Sequence, residues 1–380
     1  MKVIGIIPTD KIGACEAYRI SYPLRKLEML GHKVLVVTAT DLSEMIKGGK
    51  NPFAAADIAV FQRLTGESTQ WNPFLVAARY IGCSVVVDYD DDYTNEHRKV
   101  SDNKIPDLSD FSAITVSTPY LRKVMLKYHR DVTIIPNYVV PEMMNRGFKR
   151  LIGGLTIGLT GSVTHIDDWK AVYRPLFRIC DEFPDVKLFM SGYVPVALRD
   201  IPNVVTMMDL VPGADRDDFF IPLADYGIIM RNIDILLCPV SPNDLFNWSK
   251  SNLKAIEAQA SHRFVNGMDG GCSVIASGDV PNYRDCIQDG RTGTLVNHFD
   301  EEGWYQAIRR NIIDVKWRES IQIAGHESCL KNWTIHTGIS GRVAAYTEII
   351  ERDRKLKSKL GARLADLAAE SPTEEIGGLK

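Results

Sequence analysis

Short apolar runs recur along this chain, each bounded by turn residues and most followed by a helical pattern. Val3–Ile7, between Lys2 and Pro8-Thr9-Asp10, is the first. A run apolar on both faces suits a strand in a parallel sheet covered by helices on both sides. A helical pattern then runs to Met29, with Ile20, Leu24 and Leu27 on one side, and Gly31 stands where a C′ glycine ends a helix. Strand Lys33–Thr38 completes a βαβ unit. The alternation continues with strand Ile58–Phe61, helix Asn72–Tyr80, strands Ser84–Tyr89 and Ala113–Ser117, helix Pro119–Tyr128 and strand Val132–Ile135. Strands alternating with helices predict a doubly wound α/β fold.

The pattern breaks between Pro136 and Arg150, then restarts at Leu155–Thr160. At 380 residues the chain exceeds one core. The predicted organisation is a first α/β domain over 1–140, a linker over 141–154 and a second α/β domain over 155–333. A long helical pattern runs over 334–360, and 362–380, with its Ser-Pro-Thr-Glu-Glu and Gly-Gly steps, reads as a disordered tail. Second-half strands are expected at Val186–Met190, Val204–Met208, Ile233–Pro239, Cys272–Ser277 and Gly293–Val296, and helices at Glu301–Ile313 and Val315–Asn332.

Composition narrows the function. The formal charge is −3, so no global basic field invites nucleic acid or anionic lipid. Seven cysteines stand singly with no Cys-x-x-Cys pair, which argues against a disulfide framework and a zinc site and fits a reducing compartment. MKVIGIIPTD reads as a strand, not a secretory leader, and no apolar stretch is long enough to span a bilayer. The expectation is a cytoplasmic protein with no transmembrane segment.

Three places carry candidate chemistry. Gly13 in the first βα loop, followed by Ala14, lets backbone approach a phosphate, or serves as a plain tight turn. Asp88-Tyr89-Asp90-Asp91-Asp92 leaves a strand. Its carboxylates suit acceptor hydroxyls, a base such as Asp91, or a hard cation, or form a solvated cap. His97 lies just beyond, in a polar loop. In the second half, Gly161-Ser162 precedes a helix starting near Asp167-Asp168 and offers an anion nest. His165 reads equally as a ligand contact or a loop residue.

The third place is Ser241–Ala260. A buried-looking strand runs into a polar loop and a helix from about Trp248, capped by Asn247 or Ser249. Lys250, Lys254 and Glu257 then share one face, beside an apolar stripe of Leu253, Ile256 and Ala260. The lysines suit a diphosphate, and a glutamate kept ionised by those cations suits the two ribose hydroxyls. The spacing fits a solvated ion-pair stripe equally well.

Taken together, these residues resemble a known family. Thr160-Gly161-Ser162, Phe246-Asn247-x-x-Lys250-Ser251-x-x-Lys254-x-x-Glu257, Ser277, Pro281-Asn282-Tyr283, Asp289-Gly290 and Gly293 cover most of 155–296. Gly13, Tyr18-Arg19, Pro23, Leu27, the acidic run and Ile135-Pro136-Asn137 match more thinly in the first half. The pattern is similar to the retaining glycosyltransferases of family 4, which have the GT-B fold: two Rossmann-like domains facing a central cleft, with a C-terminal helix, here 334–360, that the resemblance implies returns to the first domain. The resemblance implies transfer of a sugar from a nucleoside diphosphate sugar, UDP- or GDP-linked, to a glycan, lipid-linked or other acceptor hydroxyl. It implies no required metal or further cofactor. Glu257 would hold the donor ribose. Lys250 and Lys254 would be the cations, with Lys250 on the phosphate. Asn247, Ser251, Gly161 and Ser162 would complete the donor site, with Gly13 and Ala14 opposite. Lys250, Asp91 and His97 are the candidates for catalysis. Ser249 stands where the family has its first glutamate. His262–Gly271 is longer than the family's turn and is expected to form a flap or an oligomer contact. The alternatives are a DNA-base transferase acting on hydroxymethylated bases, with Arg63, Arg79, Arg98 and Lys99 as a basic rim, and a non-catalytic sugar-nucleotide-binding partner subunit.

Overall fold

The computed structural model describes residues 1–8, 13–64, 72–94, 105–145, 150–199, 201, 203–210 and 226–370. Two all-parallel six-stranded sheets form its frame. The first contains β1 (Lys2–Ile7), β2 (Lys33–Thr38), β3 (Ile58–Gln62), β4 (Ser84–Tyr89), β5 (Ala113–Val116) and β6 (Val132–Ile134), in the order β2-β1-β3-β4-β5-β6. The second contains β7 (Thr156–Gly161), β8 (Lys187–Gly192), β9 (Val204–Thr206), β10 (Ile235–Cys238), β13 (Ser273–Ser277) and β14 (Thr294–Val296), in the order β14-β13-β10-β7-β8-β9. Between β10 and β13, β11 (Arg263–Val265) and β12 (Met268–Gly270) form a separate antiparallel pair.

The central strands are buried along their length, β3, β4 and β10 completely. This is the condition that makes them read as unbroken apolar runs. Each sheet reverses its winding once, between β1 and β3 in the first and between β7 and β10 in the second. In open α/β sheets, ligands bind at the carboxyl ends of strands flanking such a switch. The loop after β7 holds Gly161-Ser162, and the loop after β10 begins the Ser241–Ala260 stretch.

The C-terminal helix, Ile335–Glu370, packs against the first half of the chain. Ile335, Ile339, Tyr346 and Ile349 share a core with Val3, Leu24 and Leu27. The helix runs through Glu370, where a tail was expected from 362, and 371–380 lie outside the described residues. The region expected as linker is tied down at its start: helix Pro141–Met144 buries Met143 and Met144 in the second half's core. Helix Ala39–Lys47, absent from the sequence reading, is held by a capping box between Thr38 and Asp41. The His262–Gly271 segment is the β11–β12 hairpin, turned at Asn266 and Gly267, both with positive φ (50° and 79°). No helix among the described residues is long and apolar enough to cross a membrane.

Candidate functional site

The Ser241–Ala260 stretch is two helices, not one. Leu245–Ser249 ends at Lys250, whose φ and ψ of −58° and 147° are extended, and Leu253–Ala260 begins after Asn252. Lys250 therefore does not share a helix face with Lys254 and Glu257. Neither Asn247 nor Ser249 caps the second helix; Asn252 occupies that position with no side-chain cap bond. The break still brings the two lysines together. Lys250 Nζ lies 3.3 Å from His165 Nδ1 and 3.6 Å from Asp168 Oδ2, and Lys254 Nζ lies 3.1 Å from His165 Nε2.

Asp168 organises this cluster. It is buried, and its Oδ1 accepts from Asn247 Nδ2 at 2.7 Å and from the Ser241 amide at 2.8 Å. Its Oδ2 is 2.8 Å from His165 Nδ1. The His165 ring is neutral, because burial, Lys254 and Lys250 hold its pKa near 3 against the pull of Asp168. A neutral ring donating from Nδ1 to Asp168 leaves Nε2 to accept from the Lys254 ammonium. Asp168 itself is held ionised, at about 2, because the His165 bond, Lys250 and the Ser241 amide outweigh its burial. Burial pushes the pKa of Lys254 down. Gly161 borders the same cluster at φ +152°; a Cβ there would sit 2.7 Å from His165 Cδ2 and 3.1 Å from Lys254 Nζ. Ser162 is exposed beside it, bonded through Oγ to Thr164 Oγ1 at 2.7 Å.

Glu257 differs from expectation. Burial raises its pKa to about 7, and the nearby Lys254 does not keep it in the ordinary carboxylate range. Its Oε1 accepts from Tyr18 of the first half at 2.7 Å, and Tyr226 is its second hydroxyl donor. Two phenols thus occupy the carboxylate that the family resemblance assigns to ribose hydroxyls.

Further bonds join the halves. Ser249 is buried; its Oγ accepts from the Asp92 amide at 3.2 Å, and its carbonyl accepts from Thr118 Oγ1 at 2.9 Å. Ser251, expected on the donor, accepts through Oγ from Asn137 Nδ2 at 2.9 Å. Asn137 Oδ1 accepts in turn from Arg19 Nη1 at 2.8 Å.

The acidic run divides by role. Asp88 is a structural anion, fully buried and paired bidentately with the equally buried Arg19 at 2.8 and 2.7 Å, with Thr115 Oγ1 donating at 2.6 Å. Asp92 caps its own turn, accepting from Thr94 N and Oγ1 at 2.9 and 2.6 Å. Asp90 and Asp91 meet Cys15, with ligand atoms of all three within 4.8 Å of one another. This places the Gly13-Ala14 loop beside the acidic run. It is the group among the described residues that could hold a metal ion, and burial raises both the Asp90 carboxyl and the Cys15 thiol. His97 lies outside the described residues.

Sequence reasoning missed Asp168, Tyr18 and Tyr226 as site residues. A His-x-x-Asp step at a helix start is a readable signal for His165 and Asp168. No local signal links Tyr18 to a glutamate 239 residues away.

No protein-family model and no curated protein matches the sequence. Solved structures do match in fold. The sucrose-phosphate synthase of Thermosynechococcus elongatus aligns with TM-score 0.62 and 13% identity over 93% of this chain and 100% of its own. Anabaena HepE in complex with UDP-glucose aligns with TM-score 0.60 and 11% identity over 94% of this chain and 100% of its own. A putative UDP-N-acetylglucosamine 2-epimerase from Listeria monocytogenes aligns with TM-score 0.55 and 12% identity over 92% and 97%. Likeness at these identities carries the architecture and not the reaction. The chain has the two-domain GT-B fold that it shares with these structures.

Proposed function

We propose that this protein is a retaining glycosyltransferase that moves a sugar from a nucleoside diphosphate donor to a hydroxyl of a glycan or lipid-linked acceptor. The observation that carries the reading is the convergence of the Lys250 and Lys254 ammonium groups on the neutral His165, beside Gly161, at the switch point of the second sheet. With Asp168 as the adjacent carboxylate and Glu257 protonated below its pKa of about 7, this cluster has one cation in excess, which suits a diphosphate. UDP and GDP are the leaving groups it would accept.

In this reading, Lys250 and Lys254 stabilise the negative charge that grows on the leaving diphosphate, together with backbone amides after Gly161. Asp168 keeps His165 in the tautomer that accepts from Lys254, so the ammonium is aimed before substrate arrives. Glu257 takes the ribose after exchanging its tyrosine partners. Asp90 and Asp91 face the acceptor from the first domain, and the leaving phosphate takes the acceptor proton on the same face without a metal.

The test is nucleoside diphosphate release from UDP-glucose and GDP-mannose with a panel of acceptor glycans, with the product anomer read by NMR and EDTA present in one arm. Transfer with retained configuration that survives EDTA supports the reading. Donor binding without turnover points to a non-catalytic partner subunit. A salt-dependent gel shift with hydroxymethylated duplex DNA points to a DNA acceptor.

A further inference from the structure

One sheet edge is unlike the others. β6, β9 and β14, which end the two sheets elsewhere, are three residues long. β2, at the outer edge of the first sheet, is six residues long, contains no proline and pairs with β1 on one side. Short edge strands and edge prolines keep a sheet from pairing with another chain, and a long apolar edge is a template for pairing. Leu35 and Val36, each 39% exposed, point to opposite faces of β2, so neither face is closed over at the middle of the strand. Met29 and Leu30, more than half exposed at the end of helix Tyr22–Met29, extend the apolar surface near the start of the strand.

The backbone bonds tell which edge groups are free. The Lys33 amide donates to the Met1 carbonyl at 3.2 Å, so residues 33, 35 and 37 turn their amides and carbonyls toward β1. Alternation then turns those of Val34, Val36 and Thr38 to the open edge. Both ends of that row are closed. The His32 amide donates to the Leu27 carbonyl at 3.1 Å, and the Thr38 amide donates to Asp41 Oδ2 at 3.0 Å. The outward amides of Val34 and Val36 stand between them. An antiparallel neighbour must set outward groups against outward groups. Placing Val34 against Val36 of a second β2, and Val36 against its Val34, uses both amides and brings Leu35 opposite Leu35 on a two-fold axis. A slip of two residues in either direction would call on the Thr38 or the His32 amide, which are already engaged. In this register the exposed Lys33 of one copy lies near the end of the other copy's strand, where Thr38 holds the Asp41 carboxylate and lowers its pKa. The two-fold repeats that pair of opposite charges, so the edge is complementary to itself.

We propose that β2 pairs antiparallel with β2 of a second copy of this chain, about a two-fold axis through Leu35, and so forms a homodimer with one sheet continuous across it. Such a contact is isologous and closed, and it stops at two copies. A single strand edge with its flanking side chains buries less than the ~1,600 Å² of a standard interface, so a Kd on the order of 1–100 µM is expected. The inference is independent of the transferase reading.

The test is analytical ultracentrifugation of the full chain from about 1 to 300 µM, with the fold of each variant checked by circular dichroism. The wild type is expected to pass from monomer to dimer over that range. Val36→Pro removes an outward amide and no bond to β1, and Leu35→Lys sets two cations against each other on the axis. Each is expected to weaken the dimer at least about tenfold. Leu35→Glu is expected to do the same alone, whereas an equimolar mixture of Leu35→Lys and Leu35→Glu is expected to dimerise, because position 35 of one copy meets position 35 of the other. Misfolded variants would not give that rescue. A wild type that stays monomeric at about 300 µM overturns the inference, as does a dimer untouched by both Val36→Pro and Leu35→Lys. Charge variants that associate no better mixed than apart overturn the axis at Leu35.

Discussion

Replacing Tyr18 with phenylalanine separates two roles for Glu257. The Tyr18 hydroxyl donates to Glu257 Oε1 at 2.7 Å, in a buried setting and across the two domains. If Glu257 receives the donor ribose, that hydroxyl competes with the ribose for the same oxygen. A hydrogen bond to a charged group contributes about 1.5–3 kcal/mol. With the Glu257 pKa at about 7, the carboxylate is fully developed only above neutrality, so the measurement belongs near pH 8. Tyr18→Phe deletes one oxygen and leaves the ring, so packing is preserved. Removing 1.5 kcal/mol of competition tightens binding roughly tenfold. Isothermal titration of UDP and GDP into both proteins reads this directly. Unchanged or weaker binding in Tyr18→Phe refutes the reasoning, because the phenol would then remain on Glu257 in the bound state.

Three further outcomes follow from the same geometry. Because the Glu257 pKa is raised from 4.5 to about 7, the folded state holds its proton more tightly than the unfolded chain. Its contribution is therefore fully present below 4.5 and lost as pH rises through 7, by about 3 kcal/mol at most. Urea titrations at several pH values should show that slope in wild type and its absence in Glu257→Gln. Gly161→Ala places a Cβ 2.7 Å from His165 Cδ2 in a backbone conformation that side chains resist. It should weaken diphosphate binding about tenfold at a stability cost of ~1–3 kcal/mol, whereas unaltered binding would detach Gly161 from the site. Arg19→Met leaves the fully buried Asp88 without its cation and should cost about 3–5 kcal/mol in chemical denaturation; a loss under 1 kcal/mol would contradict the structural role assigned to that pair.

The architecture was legible because buried parallel strands leave an unmistakable trace. Strand Ser84–Tyr89, buried at every residue, and helices Glu301–Ile313 and Val315–Asn332 fall on the residues their patterns indicate. Helix Ala39–Lys47 was missed because its amphipathic face buries only Leu42. The site was half legible. Lys250, Lys254, Gly161 and His165 do come together, but the intervening helix break at Lys250 cannot be read from i,i+4 spacing, since Ser251 and Asn252 are tolerable inside a helix. The acidic run misleads for a related reason. Four carboxylates at a strand exit look alike in sequence, yet Arg19 claims Asp88 and Thr94 claims Asp92, and both depend on tertiary placement. The state of Glu257 was hidden most completely, because burial and phenols from Tyr18 and Tyr226 set its pKa.

The central claim is that Lys250 and Lys254 hold a diphosphate beside Gly161. Calorimetric binding of UDP against uridine, and GDP against guanosine, isolates the diphosphate contribution, first in wild type and then in Lys250→Ala and Lys254→Met. The account predicts a diphosphate form bound at least about tenfold more tightly than its nucleoside in wild type, with most of that gap gone in both variants. A gap that persists undiminished in both variants would contradict it.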